Sequence, residues 1–391
     1  MDYDFDQVIN RVGTHSGKWD KMEMLYGVSP QDGIAMWVAD MDFRAAPPIQ
    51  RALDEMRRVG VYGYYGDDES YLASIEWWMR HRHGWQIEPN WVFTTHGLVN
   101  GTALCLQAFT EPGDGVVLMT PVYHAFSRVI RASGREVVEC ELSLDHGRYT
   151  MDFDAWDAQM TGRERMIILC SPHNPGGRVW TREELEGVAA FAKRHDLILV
   201  SDEVHHDLVY DGHTHVPMAL IEGVADRLVM MTAPTKTFNI AGAHCGNVII
   251  ESPDLRAKFA AQMSAMGMSP NSFGMIMTEA AYTPEGAKWV DALVTYLDGN
   301  RDVLDAGLNS IPGVRSMKME ATYLAWVDFS RTGMSRQDFT RRVEAGAKIA
   351  VNHGPSFGTG GEAFLRFNFA TPRSVVIDAC RRMRAAFRDL Q

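Results

Sequence analysis

The residues with the clearest chemical potential stand just past short apolar runs. Lys236 follows the run 228–231 and a turn-forming set, Thr232, Ala233, Pro234 and Thr235. A lysine beyond the end of a buried strand sits where α/β sheets hold ligands, outside the carboxyl ends of the strands. Desolvation at such a place makes the amine nucleophilic, as imine formation requires. Asp202 follows the run 197–200, Asn174 follows 166–170 and Tyr123 follows 115–119. Gly97 follows 91–95 and opens an apolar helix through Leu98 and Val99. A parallel sheet would gather all of these along one edge.

Taken singly, each has a plain structural use. Asn174 within HNPGG suits a turn, Asp202 suits local pairing and Tyr123 suits packing. Their joint order matches what pyridoxal 5'-phosphate (PLP) needs. A lysine forms the imine with the aldehyde, and a carboxylate keeps the pyridine nitrogen protonated so that the ring draws electrons. That charge-assisted hydrogen bond is worth about 1.5–3 kcal/mol. An amide donates to the ring's 3-oxygen, and an aromatic side chain stacks on its face. The backbone N–H groups of Gly97, Leu98 and Val99 offer a helix N-terminus to the phosphate.

The elements that must position these residues alternate in type. Strands are expected at 91–95, 115–119, 166–170, 197–200 and 228–231, with helices at 98–109 and from Thr181 to about 195. Thr181 and Glu184 form a capping box for the second helix. This alternation predicts an α/β fold with a mainly parallel sheet. Runs apolar on both faces, MIIL and LILV, fit its buried centre. After about 283 the texture changes to a long helix (289–308), strands at 323–329 and 364–369, a Gly-rich turn at 358–361 and a basic terminal helix. The division expected is a PLP-binding large domain at 46–282 and a smaller α+β domain at 283–391, joined by an irregular N-terminal segment, 1–45.

Composition narrows the function classes. The 391 residues carry a net charge of −12 without a basic cluster, which argues against nucleic-acid binding. The acidic start MDYDFDQVINRVG is no secretory signal, and no apolar run approaches the length of a membrane span. The five cysteines are dispersed and odd in number, and read as buried thiols of a cytosolic protein.

Longer stretches carry a resemblance. KWD at 18–20, MWVADMDF at 36–43, VYGYY at 61–65, CSPHNPGGRVWTREEL at 170–185, SDEVHHD at 201–207, TKTFNIAG at 235–242, TYLAW at 322–326 and FLRFNFA at 364–370 span nearly the whole chain. The chain resembles fold-type I PLP enzymes of the aminotransferase class I/II group, and within it the MalY/PatB-type cystathionine β-lyases. That resemblance implies that Lys236 is the Schiff-base lysine and proton shuttle and that Asp202 pairs with the pyridine nitrogen. Asn174 and His205 are then near the 3-oxygen, and Tyr123 stacks on the ring. Arg366 clamps the substrate α-carboxylate, a task that suits its planar fork, with Ala39 contributing backbone. Tyr64 resembles a tyrosine that reaches the phosphate across a subunit boundary, which implies a homodimer. Two departures touch the phosphate grip. Ala233 stands where the family often has Ser, and His244 stands where many aminotransferases have Arg, which leaves Thr232, Thr235 or His244 to compensate.

Three function classes follow. The branch resemblance favours β-elimination from L-cystathionine or related cysteine S-conjugates, with transamination as the alternative. A regulatory binding protein that retains PLP is the third. The acid–histidine cluster 202–207, with His213 and His215, follows a strand and lacks a helical HExxH, which argues against a metal hydrolase; no metal is expected.

Overall fold

A computed structural model describes residues 3–390. Met1 and Asp2, which begin the expected irregular segment, lie outside the described residues. A central sheet has seven strands in the spatial order Val92–Thr95, Gly246–Ile249, Leu228–Thr232, Ile198–Asp202, Glu164–Cys170, Gly115–Thr120 and Glu136–Glu141. Neighbours are parallel except at Gly246–Ile249, which runs antiparallel to both of its partners. Alternate residues feed opposite cores. Val116, Leu118, Met166, Ile168 and Val200 enter one core, while Val117, Met119, Ile167, Leu169 and Leu199 enter the other. A strand covered on both faces must be apolar at successive positions, which is why these runs lack polar alternation. Register pairs Cys170 with Asp202 and Asp202 with Met231, so the strands end at one level. Four of the expected strands run one or two residues longer and the 91–95 strand begins one residue later, at Val92, while Asp202 is the last residue of its strand rather than a residue beyond it.

A second, four-stranded antiparallel sheet is ordered Arg315–Ser316, Leu324–Asp328, Phe364–Asn368, Asn352–His353. The helices Pro284–Asn309 and Arg373–Ala386 pack with its apolar residues in the larger core. Buried Asn300 joins them, donating from Nδ2 to the carbonyls of Phe369 (3.1 Å) and Thr371 (2.8 Å).

The segment expected to be irregular holds two short helices, Gly17–Asp20 and Met22–Tyr26. Four- and five-residue helices are too short to display a 3.6-residue apolar period. Strand Ile34–Ala35 pairs in parallel with Ile349–Ala350. Next to it, fully buried Lys18 places Nζ 2.8 Å from Asp42 Oδ2, and Arg11 bridges Asp40 (3.0 Å) and Asp42 (2.8 Å). These pairs staple the 38–42 loop. Lys18→Ala leaves the Asp42 carboxylate buried with only one of its two cations, Arg11. A loss of about 3 kcal/mol is expected, read as a lowered urea midpoint; an unchanged midpoint would show the pair to be dispensable.

Candidate active site

The amine of Lys236 sits on a four-residue helix, Pro234–Thr237, directly after the Leu228–Thr232 strand. Its Nζ donates to the carbonyl of Ala39 at 2.8 Å. Tyr323 OH donates to the same oxygen at 3.0 Å. Burial pushes the Lys236 pKa down to about 8, against the pull of Asp40, and Arg366 lowers it further. Near physiological pH a minority of the amine is therefore already neutral, far more than for a free lysine, and this is the form a nucleophile or base requires.

Asp202 occupies the end of the neighbouring strand, buried to 5% exposure. Its Oδ1 accepts from Val204 N at 3.1 Å. No salt bridge to it occurs among the described residues. Burial raises its pKa to about 7, only partly opposed by the Val204 hydrogen bond and by Lys236. A carboxylate this buried calls for a cationic hydrogen-bond donor, and a protonated pyridine nitrogen is such a group.

Arg366 comes from the other sheet, in the Phe364–Asn368 strand. Its Nη1 donates to Asn174 Oδ1 at 3.0 Å, and its Nη2 donates to Trp37 O at 2.9 Å and to Asn352 Oδ1. The guanidinium also lies over the Phe357 ring, 5.0 Å from its centroid. Nε is buried without a hydrogen-bond partner, and burial lowers the Arg366 pKa to about 10. A held guanidinium with spare donor capacity is a ready receptor for a carboxylate.

Other polar atoms around the strand ends also lack partners. His205 Nδ1, Thr232 Oγ1 and Thr120 Oγ1 are buried without hydrogen bonds. His205 packs edge-to-face on Tyr323 (5.8 Å), and burial holds its pKa well below the usual imidazole value. Tyr123 packs edge-to-face on Phe126 at 5.4 Å and on His124 at 5.0 Å. Gly97, with φ of +87°, is the N-cap of the Leu98–Phe109 helix, and no side chain caps that end. Gly246 explains how this terminus meets the sheet: a Cβ there would lie 2.7 Å from Leu98 Cδ2 and 3.0 Å from the Gly97 carbonyl carbon.

Lys236, Asp202, Asn174, Arg366, Ala39 and His205 thus converge through direct contacts or mutual electrostatic influence. Thr235 is buried in the helix of Lys236, whereas His244 is exposed, with φ of +46°. Tyr64 stands apart from the cluster and is fully exposed within this chain. Sequence reasoning missed Asn352 and Phe357 as supports of Arg366, and the hydroxyl of Tyr323 on the Ala39 carbonyl. Only Tyr323 had a signal, through its place in TYLAW.

The orphaned donors, the isolated buried carboxylate and the uncapped helix end fit PLP. Residues 40–383 match the family model for aminotransferase class I and II. The chain belongs to the aminotransferase class I and II family. Within this family it is 39% identical over 386 residues to cystathionine β-lyase PatB of Bacillus subtilis (strain 168), covering 98% of this chain and 99% of PatB. Among solved structures, cystalysin from Treponema denticola, which contains a pyridoxal 5'-phosphate cofactor, superposes with a TM-score of 0.95 at 35% identity over all of both chains. The PLP-bound C–S lyase from Staphylococcus hominis superposes with a TM-score of 0.91 at 29% identity, covering 99% of this chain and 98% of that one. This class I and II chain thus has the fold of PLP enzymes, and no helix among its described residues is long and apolar enough to cross a membrane.

Proposed function

We propose that the protein is a PLP-dependent carbon–sulfur β-lyase that cleaves L-cystathionine or related cysteine S-conjugates to a thiol, pyruvate and ammonia. The observation that carries this reading is the placing of a buried, partly neutral Lys236 beside an isolated buried Asp202, with Arg366 held nearby. The likeness to the cystathionine β-lyase PatB and to a C–S lyase structure supports elimination within the family.

PLP, when bound, supplies an aldehyde to the substrate amine and an electron sink for the charge left when the α-proton departs. Asp202 would hold the ring nitrogen protonated. Asn174 and His205 would serve the 3-oxygen, and Tyr123 would stack on the ring. The N–H groups at Gly97, Leu98 and Val99, with Thr232 and Thr235, would take the phosphate. Arg366 grips the α-carboxylate with both arms of its fork, while Asn174, Asn352 and the Trp37 carbonyl fix its plane. Lys236 exchanges its contact with the Ala39 carbonyl for the substrate and removes the α-proton as a neutral amine. The thiolate at the β-carbon then leaves.

The deciding experiment is pyruvate release from L-cystathionine by PLP-loaded protein without a 2-oxo acid acceptor. Sustained release supports the lyase. Amino transfer only after an acceptor is added would overturn it in favour of an aminotransferase, and neither activity would favour the regulatory reading. The depressed Lys236 pKa carries a further expectation. The rate at which cofactor-free protein takes up PLP should rise with pH and level off above about 8, because the neutral amine is the attacking form. A flat stopped-flow absorbance profile through that range would contradict this.

We further propose a homodimer, with residues 46–282 and 283–391 acting as large and small domains bridged by residues 1–45. A groove of about 630 Å³ between helices Pro47–Val59 and Ser272–Ala281 is lined by Met56, Val59, Tyr62, Tyr64 and Ile276. Exposed Tyr64 suits a contact with the second copy's site better than with its own. Sedimentation should give twice the 43.8 kDa chain mass; a monomer would remove Tyr64 from the site. The five buried, unpaired cysteines suit a reducing compartment, and we place the protein in the cytoplasm.

A further inference from the structure

The turn that carries Lys236 is held by a carboxylate that the lyase reading leaves unused. Asp207 stands in the turn after the Ile198–Asp202 strand, with its side chain fully buried. Its Oδ1 accepts from His83 Nε2 (3.0 Å) and Trp78 Nε1 (3.1 Å), and its Oδ2 accepts from Thr237 Oγ1 (2.9 Å). Burial alone would raise its pKa, yet His206 and His83 hold the carboxyl well below the usual carboxylate range. Thr237 directly follows Lys236, at the end of the Pro234–Thr237 helix, and is itself buried. Among the described residues Asp207 is the only hydrogen-bond partner of its hydroxyl.

We propose that Asp207, acting through the Thr237 hydroxyl, is the positioning residue for Lys236: it fixes the rotation of the helical turn and so the direction in which the amine is presented. The inference rests on Lys236 being the reactive amine. A helix of four residues is too short to hold its own conformation, so contacts from elsewhere in the fold must set it. Successive residues on a helix point about 100° apart. The Thr237 bond and the Lys236 contact with Ala39 therefore restrain different sides of the turn.

The Ala39 carbonyl cannot place the base alone. In the proposed reaction Lys236 gives up that contact for the substrate, and from then on the anchors of the turn itself place the amine. Phe238 is a second anchor, packing edge-to-face on Trp78 (5.5 Å) and stacking on Trp289 (5.6 Å). Trp78 in turn donates to Asp207, so the aromatic wall and the hydroxyl bond meet at one carboxylate. The segment from Asp202 to Asp207 is itself fixed, with Glu203 N donating to Met231 O (2.8 Å) and Leu208 N to His205 O (2.9 Å). The Thr237 bond thus ties Lys236 to the strand end that carries Asp202, and the spacing between the two groups is held from the side away from the substrate.

Thr237→Val keeps the shape of the side chain and removes the donor, whereas Thr237→Ser keeps the donor. In PLP-loaded protein Thr237→Val should lower kcat for pyruvate release about 30-fold, within the roughly 10²-fold that a misplacement of about 1 Å can cost. KM should change less than about twofold, because Arg366 is untouched. The rate at which cofactor-free protein takes up PLP, followed by stopped-flow absorbance, should fall by about tenfold or more. Thr237→Ser should recover most of both rates. In an Asp207→Asn background Thr237→Val should cost at most about a third as much, since the charge-assisted bond is already lost. Circular dichroism establishes that each variant is folded. A folded Thr237→Val that loses melting temperature but keeps wild-type kcat and PLP uptake would overturn the proposal, as would an equal cost in the Asp207→Asn background. Wild-type protein that takes up PLP but releases no pyruvate would overturn the lyase reading alone, and the uptake rates would still decide the role of Asp207.

Discussion

Replacing Lys236 with alanine is expected to lower pyruvate formation from L-cystathionine by about 10⁴-fold, the upper range for loss of a positioned general base. The residue is both the attachment point for the cofactor and the base for the α-proton in the proposed reaction. Among the described residues its only hydrogen-bond partner is the Ala39 carbonyl, an acceptor that cannot take over proton transfer. The variant should still fold, because the Ala39 loop that Lys236 touches is also held by Tyr323, Arg11, Lys18 and Asn368. A small primary amine added to the buffer should restore part of the rate, since it can enter the space vacated and act as base. Retention of more than about a tenth of the rate would remove Lys236 from the chemistry.

Arg366→Ala is the second large effect. Truncating one member of a buried charge pair costs about 4 kcal/mol, roughly a 10³-fold fall in kcat/KM. The fall should appear mainly in KM, because carboxylate binding is made in the ground state as well as the transition state. Arg366→Lys should recover little. An ammonium cannot keep one arm on Asn174, another on Trp37 and Asn352, and still present a fork to the substrate. A decarboxylated thioether amine serves as the control, since its slow turnover should be nearly insensitive to the substitution. An equal fall for both substrates would mean that Arg366 acts on the fold and not on the carboxylate.

Much of this arrangement was legible from residue order. Lysine, carboxylate, amide and glycine each follow a different apolar run, and a parallel sheet has no choice but to bring such strand ends to one edge. The Leu98–Phe109 helix has the bounds its apolar pattern predicts. The Gly246–Ile249 strand escaped notice. It follows the Lys236 segment with no intervening long helix, so its insertion between the 92–95 and 228–232 strands, antiparallel to both, breaks the alternation that made the others readable. The setting of Arg366 was hidden for a different reason. One of its acceptors is a backbone carbonyl on Trp37, distant in sequence and independent of residue type. The spacing of the histidines after Asp202 gave no sign that His83, from a separate helix, would stack on His206.

The carbonyl of Ala39 has a consequence for how activity appears during the life of the chain. It receives the Lys236 amine from the middle of the sequence and the Tyr323 hydroxyl from just before the Leu324–Asp328 strand, and its loop is stapled by Arg11 and Lys18 from an early segment. Asn368 adds two further hydrogen bonds, to the carbonyls of Val38 (2.5 Å) and Asp40 (2.6 Å). Reactivity therefore requires residues from position 11 to position 368 to be in place together. A nascent or nicked chain can hold a folded central sheet and still lack a working amine, so the onset of turnover reports that distant parts of the polypeptide have met.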